Sequence, residues 1–252
     1  MADTLRMMPA KPGTFAIAAA GSFGERVISL LTAAFPGSTE FKATGAEISA
    51  AFAGQESAVV IALWRPDPEL CDAADALSYE HRRPWLPVIM EHPVIRIGPL
   101  LRPPAGPCFR CYTRRRRQHD QQPWATAALL AAYDRDQFCG PGGYLPHHAR
   151  LAAAIAQAML SRPGEEEALG NGSPGGGDVT TIGLSDMGLS VGMRSSRVIP
   201  CHDCDRCGTA GPPGDLGWLT EVALSTRAQA ADPGWDESQP DSLPAEVSGA
   251  VR

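Results

Sequence analysis

The sequence predicts an α/β protein: a small parallel sheet with a cysteine-knuckle and β-hairpin extension, followed by a disordered acidic tail. Three observations support this fold class. Strand-like and helical segments alternate through residues 14–90, and two C-x-x-C pairs lie far apart in the chain. Beyond residue 207, Pro, Gly, Ser and acidic residues dominate. We therefore divide the chain into an α/β layer (1–98), a zinc-closed helical and hairpin region (99–207) and a tail (208–252).

The composition agrees with a globular body of near-neutral charge. Hydrophobic residues make up 44% of the 252 residues and aromatic residues only 6%, so we expect an aliphatic core. The net charge is −6, but residues 208–252 hold seven acids and two bases, a net −5, which leaves −1 for the body. The charge of the body therefore points to no particular class of partner.

Targeting signals are missing from the sequence. Residues 1–11 contain no apolar stretch typical of a secretory signal, and no run of about 18 apolar residues predicts a membrane span. Five of the seven cysteines lie in two tight clusters, which favours metal binding in a reducing compartment over a disulfide framework. We expect a cytoplasmic protein.

The first part of the chain has the strand and helix order β-α-β-α-β-α-β. The segment 57–63 (SAVVIAL) is apolar almost throughout, as buried parallel strands are. In the first helix, Val27, Leu30 and Leu31 fall on one face. The predicted strands are 14–20, 39–42, 57–63 and 85–90, and the predicted helices are 25–34, 46–52 and 67–80. Residues 94–98 are expected to turn back as an antiparallel strand, and residues 5–8 are a candidate edge strand.

The second part predicts three helices, a linker and a hairpin. The alanine-rich helix ends before Pro163, and the linker that follows contains six glycines and three glutamates. The hairpin turn carries a glycine, which suits a positive φ. The helices are 109–121, 124–133 and 147–161, the flexible linker is 164–178, and the hairpin strands are 179–184 and 189–193, joined by turn 185–188.

The cysteine pairs are the strongest chemical signal. A two-residue spacer lets both sulfurs of a pair face one ion, so Cys108, Cys111, Cys204 and Cys207 could form a closed structural Zn²⁺ site with no position for water. The separation of the pairs, residues 112–203, is longer than in a compact zinc ribbon. Cys201 could replace Cys204, and free thiols or a Cys108–Cys111 redox pair are the alternatives. The single cysteines at 71 and 139 are expected to be ordinary buried residues.

The glycine turn after the first strand is incomplete as a nucleotide-binding motif. A G-x-G-x-x-G turn places backbone N–H groups against phosphate, but here the order is Ala19-x-Gly21-x-x-Gly24. Glu25 follows at once and would repel phosphate, and no acid ends the second predicted strand to hold a ribose. We interpret the turn as vestigial and predict no nucleotide cofactor in this chain.

No catalytic group can be identified from the sequence. The six histidines stand in no nucleophile–base–acid pattern. The arginine run 114–117 could bind nucleic acid or an acidic peptide, form a solvated helix face, or contact the acidic tail of this chain. Apart from Tyr112, the run has no interleaved aromatic residues for base stacking, so we do not expect a nucleic-acid partner.

Four motifs carry a resemblance to a known family. They are Ala62-Leu63-Trp64-Arg65, Ile95-Arg96-Ile97-Gly98-Pro99, Gly106-Pro107-Cys108-x-x-Cys111 and Pro200-Cys201-His202-Asp203-Cys204-Asp205-Arg206-Cys207. Together they resemble the TOMM (thiazole/oxazole-modified microcin) precursor leader peptide-binding proteins. These are the E1-like (ThiF-related) partners of YcaO cyclodehydratases, and the resemblance covers roughly residues 14–207.

The resemblance implies an E1-like, Rossmann-like sheet and favours Cys204 and Cys207 as the second metal pair. It implies a non-catalytic scaffold that binds the leader of a ribosomal precursor peptide and presents the core to a YcaO-type cyclodehydratase, which binds the ATP. By analogy alone, a homodimer is expected. The alternatives are an active E1-like adenylating enzyme and a zinc-ribbon protein that binds nucleic acid.

This chain departs from the family at its N-terminus. Many relatives carry a winged-helix leader-recognition region ahead of the α/β part, whereas this chain starts almost at its first strand. We therefore expect another surface, or a separate protein, to capture the leader. A peptide could add as a strand to an exposed sheet edge, but the sequence does not identify the edge.

Overall fold

The computed structural model describes residues 11–104, 106–136, 138–161, 177–184 and 192–207. Within these ranges the chain forms seven strands and six helices. The strands are β1 (Lys11–Ala20), β2 (Thr39–Lys42), β3 (Glu56–Leu63), β4 (Trp85–Glu91), β5 (Val94–Ile97), β6 (Asp178–Gly183) and β7 (Met193–Arg197). The helices are α1 (Gly21–Ala34), α2 (Gly45–Ala53), α3 (Pro68–His81), α4 (Phe109–Gln118), α5 (Pro123–Arg135) and α6 (Pro146–Ser161).

All seven strands belong to one sheet, in the order β2-β1-β3-β4-β5-β6-β7. The first four run parallel, and Ile17 at the centre of β1 lies between Glu40 of β2 and Val60 of β3. The last three are antiparallel to their neighbours. The hairpin therefore extends the main sheet and does not form a sheet of its own.

Helices cover both faces of the sheet, as its buried strands require. Helices α1 and α6 pack on one face over side chains such as Val60 and Leu86. Helices α2 and α3 and the start of α4 cover the other face, around Ile61 and Trp85. The second face therefore places the beginning of α4, where the first cysteine pair lies, directly beside α3.

The sequence predictions for the α/β layer are confirmed, including the antiparallel strand that follows β4. Helix α1 starts at Gly21, so the predicted glycine turn is the first turn of the helix. The helix predicted for 109–121 ends at Gln118.

The second hairpin strand continues beyond its predicted end. The sequence predicted residues 189–193, of which 189–191 lie outside the described residues, and the strand that pairs with β6 is β7, which starts at Met193 and ends at Arg197. All five β7 residues are exposed. An edge strand needs no apolar face because its hydrogen bonds to one neighbour hold it in place, so residues 194–197 gave no apolar signal.

Other sequence predictions lie outside the described residues: the candidate strand 5–8, linker residues 164–176, turn 185–188 and the tail 208–252. Of the predicted linker 164–178, Gly177 and Asp178 are described, and Asp178 is the first residue of β6. Among the described helices, none combines the length and apolar character that a membrane span requires.

The backbone around Gly98 explains why the Ile95–Pro99 motif contains a glycine. It follows β5 with φ +102°, and a β-carbon there would overlap the Asp178 carbonyl oxygen of the adjacent strand. Only glycine combines that backbone conformation with such a close approach.

Candidate metal centre

The structure brings together the four cysteines that the sequence singled out. The Sγ atoms of Cys108, Cys111, Cys204 and Cys207 all lie within 4.8 Å of one another. Single separations are 3.8 Å for Cys108–Cys111, 3.5 Å for Cys108–Cys204 and 3.3 Å for Cys111–Cys207. Four sulfurs bound tetrahedrally at about 2.3 Å from zinc would lie about 3.8 Å apart. The four sulfurs and their spacing therefore fit a metal ion bound by four thiolates.

Local structure directs these sulfurs to one point. Cys108 precedes α4 and Cys111 lies in its first turn, while the second pair lies in the turns that follow β7. Two backbone N–H groups donate to the sulfurs, from Cys108 to Cys207 Sγ at 3.3 Å and from Cys201 to Cys111 Sγ at 3.2 Å. Such donors favour the thiolate form that a metal requires.

Cys201 lies beside the four-sulfur group and is not part of it. It is 7% exposed and its backbone contacts Cys111, but the group of mutually close ligand atoms contains Cys204 instead. Of the remaining cysteines, Cys71 is buried, as expected, and Cys139 is half-buried. Burial raises the pKa of Cys71 to about 12, which keeps this thiol protonated and unreactive.

The pKa values of the two thiols in the first pair shift in opposite directions. The hydrogen bond from the Cys108 thiol lowers the pKa of Cys111, while the same contact raises the pKa of Cys108. A divalent ion would replace the shared proton between them, so metal binding must release protons and weaken in acid.

Asp75 of α3 connects the two cysteine segments. It is fully buried, and its Oδ1 accepts a hydrogen bond from Phe109 N at 2.9 Å, next to Cys108. Its Oδ2 accepts one from Arg206 at 2.6 Å, next to Cys207. Burial raises the pKa of Asp75 and these two donors oppose that shift. One carboxylate thus fixes the start of α4 and the last cysteine turn together.

The arginine run of α4 also contacts the second cysteine segment. Arg114 forms two 2.8 Å bonds with Asp203, and Arg115 donates to the carbonyls of Ile199 and Pro200 at 3.4 and 3.3 Å. Just ahead of the run, Arg110 bridges Asp72 and Asp205 at 3.1 and 3.2 Å. None of the interpretations offered for the run named this segment: Arg114 and Arg115 contact residues 199–203, which precede the acidic tail.

Arg116 takes part in a buried ionic network. Its guanidinium lies 2.7 Å from Glu91, whose other oxygen lies 2.9 Å from Arg96. Arg96 also donates to the Gly98 carbonyl and stacks on the Tyr112 ring at 4.9 Å. The two guanidinium groups lower the pKa of Glu91 against the opposing effect of its burial. Network and stacking join the end of β4, β5 and α4.

The crevice above the first strand is filled by the chain itself. In doubly wound sheets, ligands bind where the strand order reverses, here between β1 and β3 at the start of α1. Gly21, with φ +71°, lies so close to Trp64 that a β-carbon there would overlap the Trp64 ring. Tyr144 donates to the carbonyl of the next residue, Ser22, at 3.2 Å.

Arg65 fixes the tryptophan in this position. Its guanidinium stacks between the Trp64 and Tyr133 rings at 5.0 and 4.9 Å. It also donates to three carbonyls, those of Tyr133, Asp136 and Cys139, at 2.9 to 3.0 Å. The Trp64-Arg65 pair of the sequence motif is therefore anchored to the end of α5, with Trp64 lying against Gly21.

Sequence reasoning missed Asp75 and the Glu91 network. A signal existed for Asp75, because it falls on the helix stripe shared by Leu70, Cys71 and Ala74. A carboxylate on an apolar helix face indicates a buried ionic partner. Glu91 ends an otherwise apolar strand, but its partners come from two other elements and could not be deduced from the strand alone.

Three solved structures illustrate what this chain is similar to. The heterocyclase TruD matches with a TM-score of 0.53 and 17% identity, over 78% of this chain and 27% of that one. A heterocyclase in complex with substrate and cofactor matches with a TM-score of 0.51 and 20% identity, over 78% and 25%. E. coli MccB with AMPCPP and MccA matches with a TM-score of 0.50 and 12% identity, over 78% and 67%. At these identities the comparison shows a shared fold.

The chain spans about a quarter of the length of the two heterocyclases. No protein-family model and no curated protein matches the sequence.

Proposed function

We propose that this protein is a non-catalytic component of an azoline-forming cyclodehydratase complex. It binds the leader of a ribosomal precursor peptide and presents the core to a YcaO-type enzyme in the cytoplasm. The observation that carries the proposal is the filled crevice at the start of α1, on a fold shared with heterocyclases. Sequence motifs that resemble the E1-like partners of YcaO enzymes support it.

The filled crevice argues against nucleotide chemistry in this chain. Phosphate binding at a helix N-terminus needs open backbone N–H groups. Here the Trp64 side chain lies against Gly21, and Glu25 is exposed in the next turn. In our proposal ATP belongs to the YcaO partner.

The cysteine centre fits a structural role. Four thiolates complete a tetrahedral zinc shell and leave no position for water or substrate. The ion would join residue 108 to residue 207 and so fix the second cysteine segment, which follows β7, on α4 and α3. The contribution of this chain to catalysis is then positional: it lowers the entropic cost of bringing peptide and enzyme together.

Two large apolar side chains near opposite ends of α5 are exposed. Trp124 on α5 is 75% exposed and Phe138, just beyond α5, is 80% exposed. Each is a separate candidate contact for a YcaO partner or a second copy of this chain.

Affinity purification with the YcaO-type protein encoded beside this gene tests the proposal. We expect a stable complex with about one zinc per chain, as a single four-thiolate site requires. We also expect binding of the fluorescein-labelled synthetic leader and no ATP–pyrophosphate exchange by this protein alone. Exchange by the isolated protein would instead identify an active E1-like adenylating enzyme.

A further inference from the structure

Among the described residues, none pairs with the outer edge of β7. The described sheet ends with β2 on one side and β7 on the other. Edge strands present a row of outward N–H and C=O groups that can pair with another chain. The two edge strands of this sheet differ in how many of these outward groups are open to another chain.

The peptide groups of β7 alternate in direction. Gly183 N donates to Gly192 O at 2.8 Å, which makes these two residues a hydrogen-bonded pair of the hairpin. Hydrogen-bonded and non-bonded pairs alternate along antiparallel strands. Arg194 therefore bonds to β6, whereas the N–H and C=O groups of Met193 and Ser195 point away from the sheet.

One outward donor of the β2 edge is already paired within the chain. The outward N–H of Lys42 donates to Glu47 Oε2 at 2.6 Å. Glu40 places a second carboxylate on the same short strand. An incoming peptide would lose one of the few donors there, and an acidic one would be repelled.

The side chains of β7 indicate which peptide it accepts. Met193 is 60% exposed and lies opposite Ile182, so it faces the α1 and α6 side of the sheet. Arg194 is also exposed and lies on the opposite side, because side chains alternate along a strand. Arg115, which contacts the chain just beyond β7, adds positive charge near the strand.

We infer that the leader of the precursor peptide binds to the outer edge of β7 as an eighth strand. It hydrogen-bonds the peptide groups of Met193 and Ser195 and carries apolar side chains on the Met193 side and acidic ones on the Arg194 side. This inference rests on the proposed function, and it supplies the leader-binding surface that the sequence left unassigned.

The test compares Ser195→Pro with Ser195→Ala in the full chain with its metal bound. Both substitutions remove the 3.4 Å contact between Ser195 and Thr180 hydroxyls, but only proline removes the outward N–H. Proline is tolerated on edge strands where the N–H faces outward. We expect Ser195→Pro to weaken binding of the fluorescein-labelled leader by about tenfold or more. Ser195→Ala should bind as the wild type does, with zinc content and melting temperature unchanged in both variants.

Two further variants test the charge preference of the edge and the choice between β7 and β2. Arg194→Glu should weaken binding and reduce its salt dependence, and a leader with lysine in place of its acidic residues should bind poorly. Glu40→Pro alters the opposite edge and should have no effect. If Glu40→Pro abolishes binding while Ser195→Pro does not, the assignment to β7 is wrong although the proposed function stands.

A benzophenone side chain in place of Met193 identifies the occupant directly. We expect it to crosslink to the leader on illumination. Crosslinking to residues 208–252 of the same chain in the presence of leader would show that the acidic tail occupies the edge, which would overturn the assignment. A wild-type chain that binds no leader at all would overturn the proposed function and the assignment with it.

Discussion

At the scale of single residues, the sulfur atoms and one buried carboxylate define the candidate site. The sequence offered five clustered cysteines, and the folded chain groups four of them. Asp75 links the two cysteine pairs, because its carboxylate accepts hydrogen bonds from a residue adjacent to a cysteine of each pair. The site is therefore a junction between distant parts of the chain.

Replacing one ligand should destabilise the whole fold. For Cys108→Ser we expect zinc per chain to fall far below one and stability to drop by about 3 kcal/mol or more. In a chain of this size that lowers the melting temperature by roughly 6–12 °C. Elemental analysis and thermal denaturation provide the measurements.

Cys201→Ser is the matched control, because Cys201 belongs to the same sequence cluster as Cys204 and Cys207 but lies outside the four-sulfur group. It should keep its zinc and melt within about 2 °C of the wild type. If the two variants behave in the opposite way, Cys201 is a ligand and the grouping seen here is wrong.

Glu91 should make stability depend on pH in the acid range. Arg96 and Arg116 lower its pKa in the folded state below the usual value of about 4.3. A carboxylate whose pKa is lowered on folding stabilises the folded state. This stabilisation is fully present above about pH 5 and is lost as the pH falls through the pKa of the folded state. Glu91→Gln leaves Arg96 buried without its counter-charge and should cost about 3 kcal/mol at pH 7.

The difference in melting temperature between wild type and Glu91→Gln, followed from pH 7 to pH 3, measures this contribution. We expect it to shrink as the solution becomes acidic. A difference that is constant over this range would show that the carboxylate charge does not stabilise the fold.

At the scale of secondary-structure elements, α6 shows how closely alanine lets helices approach the sheet. The buried stripe of α6 is Ala149, Ala152, Ala153, Ala156 and Met159, with Leu151 and Ile155 only partly buried. The small residues form the contact because they allow α6 to pack directly on the sheet and α1.

Enlarging this stripe should therefore destabilise the protein. Ala156→Leu inserts three carbon atoms into a fully buried position and should cost about 1–3 kcal/mol. Ala154→Leu, at an exposed position of the same helix, should change stability by less than about 0.5 kcal/mol. Urea denaturation of both variants measures the difference, and equal effects would contradict the packing seen here.

At the scale of the whole molecule, the four clustered cysteines and the arginine contacts hold one end of the sheet. The second cysteine segment follows β7, and its ionic partners come from α3 and α4. The parallel strands β1, β3 and β4, by contrast, are held by a large apolar core of their own. Loss of the ion should therefore affect the two parts of the sheet unequally.

Metal removal tests this division. After treatment with a strong chelator, we expect faster amide hydrogen exchange in residues 192–207 and in the first turn of α4. Exchange in β1, β3 and β4 should change much less. Readdition of zinc should restore protection, and uniform acceleration throughout the chain would show that the core depends on the ion as well.

The sequence by itself determined the α/β layer and identified the four cysteines that the fold brings together. Both are local signals: apolar runs and helical periodicity reflect the burial of each element, and a C-x-x-C spacing suits an ion by its own geometry. The boundaries of β2, and those of β3 and β4 to within one residue, followed from that pattern.

Only the tertiary structure decided the place of β7, the role of Asp75 and the closure of the crevice by Trp64. The physical reason is that each depends on partners distant in the chain. An exposed edge strand has no apolar pattern, a buried carboxylate is stable only beside donors from other elements, and a tryptophan after β3 closes the crevice only because β1 lies next to β3. The proposed function rests on these features, since in the proposal Trp64 excludes a nucleotide and β7 binds a peptide.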